Sequence, residues 1–301
     1  MICYMLSRIT GVPGIDLFTG KNGLQFIKID NKSATAEISL MGGHIVSYTP
    51  SGERPVLWMS EKSMYQTGNP LRGGIPVCWP WFGEASETGL PAHGFARISE
   101  WSIKDVSLLA DGTTQVELVL DSEKSTIPMA TWKFLLEMKI TVGKTLEVAL
   151  TMYNCTDIPR KVTSALHNYF SVSDIGNIQI HGLDGAAFLD KSKQEFYNGV
   201  QYGNISFSDA VTKVFCPTAA TVEILDPAWD RNIIIEKTGS QSTVVWNPWI
   251  DKARKMPDFG DDEYRQMVCV ETTNTMDDAR LLLPGVPHTL SQTISVQHME
   301  M

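Results

Sequence analysis

Five cysteines in 301 residues, Cys3, Cys78, Cys155, Cys216 and Cys269, make an odd set with no close pair. That excludes a disulfide framework and a cysteine-rich zinc site, both of which need paired or clustered thiols. Basic residues are the minority, 25 Lys and Arg against 34 Asp and Glu for a net charge of −9. No stretch gathers Lys and Arg into the footprint that a phosphate backbone requires, so no nucleic-acid partner is expected. No segment approaches the roughly 20 apolar residues of a membrane-spanning helix, so no membrane partner is expected either. The opening MICYMLSRITGVPG sets Arg8 after its short apolar run and lacks a small-residue cleavage site, unlike a secretory leader. These absences point to the reducing cytoplasm, with residues 1–14 as a peripheral segment. There is also no GxGxxG after a strand, no GxxxxGK[ST] and no HExxH, which removes the common nucleotide-cradling loops and the zinc-protease helix.

What is present is a globular composition, 43 % apolar and 20 % charged, patterned with a period of two. Trp132, Phe134, Leu136, Met138 and Ile140 alternate with more polar residues, as do Leu146, Val148, Leu150 and Met152. Each set reads as a strand with one buried face. Similar alternation runs through Ala34 to Leu40, Val116 to Leu120, Val222 to Leu225 and Leu290 to Val296, where Gln292 is the one break. A helix is expected only at Met276 to Leu283, stopped by Pro284 and Gly285. No repeat, low-complexity tract or linker interrupts the chain. The expectation is an all-β protein, a large antiparallel β-sandwich, with residues 1–301 as one domain.

Four segments depart from ordinary strands and turns. Arg72 to Gly83, RGGIPVCWPWFG, sets three aromatics and two prolines beside a glycine pair, which builds either a stiff pocket wall or a buried, core-filling loop. In Pro91 to Arg97, PAHGFAR, His93 and Arg97 flank a glycine. They either reach one polar ligand together, the guanidinium being a rigid fork for phosphate or carboxylate, or serve as a structural His and a surface ion pair. Along Val162 to Phe170, His167 falls with Thr163, Ala165 and Tyr169 on the face opposite Val162, Leu166 and Phe170. It is placed either for binding or half-exposed on a solvated sheet. Finally, Glu271 closes the apolar run Met267 to Val270. A carboxylate there is a base with a raised pKa or a buried Glu paired with an Arg.

RGGIPVCWPWFG, HGFAR, LHNYF, WNPW and VCVE, in this order, with Lys252, Met256, Asp258 and Glu263-Tyr264 following WNPW, resemble the hexose-6-phosphate mutarotases of the aldose 1-epimerase superfamily. The resemblance runs from about Leu24 to Val296 and implies the galactose mutarotase-like supersandwich. It also implies an acid/base pair at His167 and Glu271, with substrate contacts at Arg72, His93, Arg97 and Asp190. Ala92 stands where some members carry Gln, so any contact from that amide is missing here. The implied reaction interconverts α and β anomers of a hexose 6-phosphate, with glucose 6-phosphate the expected substrate. The anomeric hydroxyl loses a proton, the ring oxygen gains one, and the ring opens and recloses. An ionised Glu271 and a protonated His167 would supply the base and the acid. No hydride moves and no anion demanding a metal forms, so no cofactor is expected. A free-aldose 1-epimerase would share the chemistry without the two arginines. A noncatalytic sugar-phosphate-binding regulator would share only the fold.

Overall fold

The period-two segments form strands in register with one another. Phe134–Val142 and Leu146–Asn154 pair antiparallel from Phe134↔Asn154 to Val142↔Leu146, and their buried positions alternate along both strands. Each buried Leu, Ile or Val contributes ~1.5–3 kcal/mol of apolar transfer, which locks the register because a one-residue slip would turn that row to solvent. The computed structural model describes residues 11–299 except 126, 128 and 194. Residues 1–10 of the segment expected to be peripheral therefore lie outside the described residues.

Among the described residues the strands form two eight-stranded antiparallel sheets, a four-stranded sheet from Ile15–Thr19 to His44–Pro50, and a two-stranded ribbon. The first large sheet runs Tyr197–Val200, Ala187–Asp190, Val211–Phe215, Ser242–Asn247, Met267–Asn274, Ser164–Leu166, Val77–Cys78, with Tyr169–Ser171 also paired to Met267–Asn274. The second is centred on Arg231–Thr238, His288–His298 and Leu146–Asn154. One continuous cluster of buried apolar side chains, from Ile15 to Ile294, draws on both. Gln292, the break in its strand's alternation, is buried in this interior. It donates to Asn168 Oδ1 at 2.6 Å and accepts from Asn168 Nδ2 at 2.9 Å, so each amide satisfies the other and the two sheets are tied together.

The expected helix over Met276 to Leu283 does not form. Met276–Asp278 is a single 3₁₀ turn entered with Met276 at φ 55°, and Arg280–Leu282 then pairs as a strand with Arg160–Val162. The competing force is Asp278, whose buried carboxylate accepts from the Gln241 backbone at 2.8 Å and from Asn274 Nδ2 at 2.9 Å. Those side-chain bonds fix the chain in a turn where helical periodicity alone suggested more. The described cysteines are all free thiols, and no helix among the described residues is long and apolar enough to cross a membrane.

Candidate active site

His167 lies in the gap between Ser164–Leu166 and Tyr169–Ser171, two short strands that pair with the same partner, Met267–Asn274. The pairs Leu166↔Thr272 and Tyr169↔Cys269 keep one register across the gap, so His167 stands directly opposite Glu271 and both side chains leave the same face. Their neighbours Asn168 and Val270 take the other face, where Asn168 reaches Gln292 in the second sheet. The pair therefore sits on the face turned away from the inter-sheet core. Loops cover it there: the His167 and Glu271 side chains are only 8 % and 2 % exposed.

His167 Nε2 and Glu271 Oε1 are 3.6 Å apart, longer than a hydrogen bond. His167 Nδ1 and Glu271 Oε2 are buried with no hydrogen-bond partner among the described residues. Burial pushes the Glu271 carboxyl well above its ordinary range, a rise that the positive charge of Arg97 opposes. Burial, followed by the charges of His93, Arg97 and Arg72, pulls the His167 imidazole well below its own. Both shifts work against the ionised Glu271 and protonated His167 expected from reference values.

Aromatic rings frame the pair. The His167 ring stacks on Tyr169 at 4.8 Å and 8°, two residues on along the same face. His93 lies 5.5 Å away and Trp246 6.3 Å, with Phe82 edge-on to both histidines. Of the aromatics in the RGGIPVCWPWFG segment, Phe82 walls the site. Trp79 is fully buried against Phe95, Trp132 and Phe134, filling core. Both outcomes weighed for that segment therefore occur within it.

The RGG loop is held from beneath by His44, which donates from Nε2 to the Gly73 carbonyl at 2.8 Å and which burial keeps neutral, its pKa pushed down to about 3. Gly74 is at φ 60°, and a Cβ there would lie 2.2 Å from the Ile45 carbonyl oxygen, so only glycine permits this approach. Arg72 is thereby delivered beside Tyr169, donating to its hydroxyl at 2.8 Å; its Nε donates to Asp258 Oδ2 at 3.1 Å, and NH2 completes the ion pair with the same oxygen at 3.1 Å. In HGFAR, His93 takes φ 62° and Gly94 φ 71°, folding the segment back so that Arg97 donates to the Ala92 carbonyl at 2.8 Å. Arg97 Nε is buried without a partner. Burial first, then Arg97, Arg72 and Lys252, lower His93 to about 3.

His167, Glu271, Arg72, His93 and Arg97 therefore converge; Asp190 does not. It is linked across three strand pairings, Asp190↔Lys213↔Val245↔Val270, which places its side chain on the face opposite Glu271 and about 14 Å along the sheet. Its carboxylate accepts from the backbone and hydroxyl of Ser192 at 2.8 and 2.6 Å. The residue of the next strand on the site face is Thr212, paired with Trp246. Sequence reasoning gave no role to Tyr169 or Asp258. The first was visible as sharing the His167 face, whereas nothing in the spacing links Asp258 to a residue 186 positions earlier. A cavity of about 550 Å³ opens elsewhere, beside Leu17, Met41, Trp101 and Met129. It contains none of the converging side chains.

This architecture, an all-β sandwich carrying a buried His–Glu pair on the loop-covered face of one sheet, is of the galactose mutarotase-like kind. The chain belongs to the aldose 1-epimerase family, whose model matches residues 25–295. A relative in Salmonella typhimurium, provisionally named glucose-6-phosphate 1-epimerase, is 34 % identical over 298 residues, covering 97 % of this chain and 99 % of the relative. One of the same provisional name in Escherichia coli K12 is 36 % identical over 300 residues, with 97 % and 99 % covered. A crystal structure from Salmonella typhimurium, provisionally described as a mutarotase, superposes with a TM-score of 0.90 at 34 % identity, covering 99 % of this chain and all of that one.

Proposed function

We propose that this protein interconverts the α and β anomers of a hexose 6-phosphate, glucose 6-phosphate foremost, with His167 and Glu271 as the proton carriers. The names of its relatives support the reaction and the substrate class. The observation that carries the site assignment is the facing pair across adjacent strands, 3.6 Å apart with one unpartnered polar atom on each side chain. One member takes the proton from the anomeric hydroxyl while the other delivers a proton to the ring oxygen. The ring opens, the C1–C2 bond turns, and the reverse transfers reclose it. Either member can act first, because the pair needs only to hold one proton at the start and one at the end. Arg72, His93 and Arg97 stand beside the pair as the proposed substrate contacts, and the guanidiniums favour a dianionic group in a protein of net charge −9.

The direct test is NMR exchange spectroscopy of anomer interconversion. Wild-type protein is expected to exchange glucose 6-phosphate with a kcat/KM at least ~10-fold above that for glucose. Equal efficiency on both would replace this reading with that of a free-aldose 1-epimerase, and exchange of neither above the spontaneous rate would leave a binding protein.

The pH dependence follows from the two shifts, the imidazole of His167 lowered and the carboxyl of Glu271 raised. The profile of kcat/KM, corrected for the substrate's own phosphate ionisation, should therefore be a broad bell. Its acid limb, where His167 takes a proton, lies below the ordinary histidine value of about 6.5, and its alkaline limb, where Glu271 loses one, lies above the ordinary carboxylate range. An acid limb centred at or above pH 6.5 would contradict the burial argument.

A further inference from the structure

Of the cations around the site, Arg72 is ion-paired with Asp258 at 3.1 Å, so that pair carries no net charge. Arg97 makes no ion pair within 4.0 Å among the described residues; it spends one N–H on a backbone carbonyl and opposes the rise of the Glu271 carboxyl. A dianionic phosphate entering here needs more positive charge than Arg97 alone provides.

Lys252 supplies it. It stands in the five-residue helix Trp249–Ala253, which leaves the end of the Ser242–Asn247 strand. Asn247 pins that junction, accepting from the Trp249 backbone at 2.9 Å and donating to the carbonyls of Tyr264 and Met267 at 2.8 and 2.9 Å. The helix carries the Lys252 ammonium to 5.6 Å from the centre of the Trp246 ring, and Trp246 stands edge-on to both His167 and Tyr169. Lys252 is thus one aromatic ring away from the proton-transfer pair. The ammonium lies over the face of that ring, and the residue is exposed. It makes no ion pair within 4.0 Å with any carboxylate among the described residues; the field of Glu84 reaches it without contact. That it belongs to the same electrostatic cluster shows in two ways. Burial and then the Arg72 charge lower its ammonium, and its own charge adds to those lowering His93.

Resting on the reading proposed above, we propose that Lys252 is a specificity-determining residue that binds the substrate's phosphate: a second uncompensated cation, at the mouth of the site, that adds to the preference for phosphorylated hexoses over free ones. Trp246 presents an apolar platform between the phosphate at the rim and the anomeric centre at His167 and Glu271. A point-charge ammonium on a flexible stem suits this position, because it can follow a phosphate ester whose anomeric end must reorganise during ring opening.

The test is Lys252→Met and Lys252→Arg in the full chain, assayed by anomer exchange on glucose 6-phosphate and on glucose, with inorganic phosphate as a competitive probe. Lys252→Met should raise KM for glucose 6-phosphate ~10-fold or more with kcat within about threefold, raise the inhibition constant of inorganic phosphate in step, and leave glucose unaffected. Lys252→Arg should recover most of the loss. An unchanged KM and phosphate inhibition in Lys252→Met, in a protein whose wild type prefers glucose 6-phosphate, would overturn the role of Lys252 alone. An equal loss on both substrates would also overturn it, pointing to displacement of Trp246. A wild type without preference for the phosphate ester would instead overturn the functional reading and this assignment with it.

Discussion

His167→Asn and Glu271→Gln are each expected to slow catalysed anomer exchange by ~10²–10⁴-fold, the contribution of a positioned proton carrier. Glu271→Gln keeps the shape of a side chain that is 2 % exposed and removes only its ability to hold and release a proton. His167→Asn also gives up the stack on Tyr169 at 4.8 Å, so its thermal stability should fall more than that of the glutamine variant. The double variant should be scarcely slower than the slower single one, because neither partner can complete the proton cycle alone. Exchange spectroscopy with the spontaneous rate subtracted provides the measurement. A single variant within threefold of wild type, still folded by thermal denaturation, would remove that residue from the mechanism.

The second large effect concerns the arginines. Arg97→Met and Arg72→Met should each lower kcat/KM for glucose 6-phosphate by ~10–150-fold, the range for losing a hydrogen bond to a charged group, and the two should differ in character. Arg97 offsets part of the burial penalty on Glu271, so its loss lets that carboxyl rise further and moves the alkaline limb of the pH profile upward on any substrate. Removing Arg72 strands the Asp258 carboxylate, 13 % exposed and formerly ion-paired and hydrogen-bonded to the guanidinium, as an uncompensated negative charge facing the incoming phosphate. The double variant Arg72→Met/Asp258→Asn should therefore bind glucose 6-phosphate better than Arg72→Met, although it lacks the same cation. If adding Asp258→Asn worsens Arg72→Met, the charge-compensation account fails. If glucose suffers as much as its phosphate ester in both single variants, the arginines do not recognise phosphate.

The strands were legible because their signal is local: the alternation in Phe134–Val142 and Leu146–Asn154 depends on residues two apart. So was the face of His167, since Ala165 and Tyr169 share it whatever the partner strand. Its burial was not legible, because the covering loops, RGG and HGFAR, come from some 70 to 95 residues earlier in the chain. Asp190 shows the limit most clearly. Its face relative to Glu271 is set by three successive strand registers, none of which the sequence writes down. The extra helix at Met276 failed for a related reason, since one of the groups that capture Asp278, the Gln241 backbone, is 37 residues away in the chain, while the other, Asn274, is only four away. The raised carboxyl of Glu271 and the lowered imidazole of His167 followed from burial first and neighbouring charge second, quantities that exist only once the chain is folded.

The unbroken register across the gap at His167 bears on how this family can vary its length. The two short strands flanking that residue are both measured against Met267–Asn274, from Leu166↔Thr272 to Tyr169↔Cys269. A single-residue insertion or deletion between them would either turn the histidine inward, against Gln292, or force the whole following strand to invert its faces. Loops around the site can lengthen and shorten as substrates diverge. This stretch can change only by substitution, or in steps of two residues, and it serves as the fixed ruler from which the rest of the pocket is free to evolve.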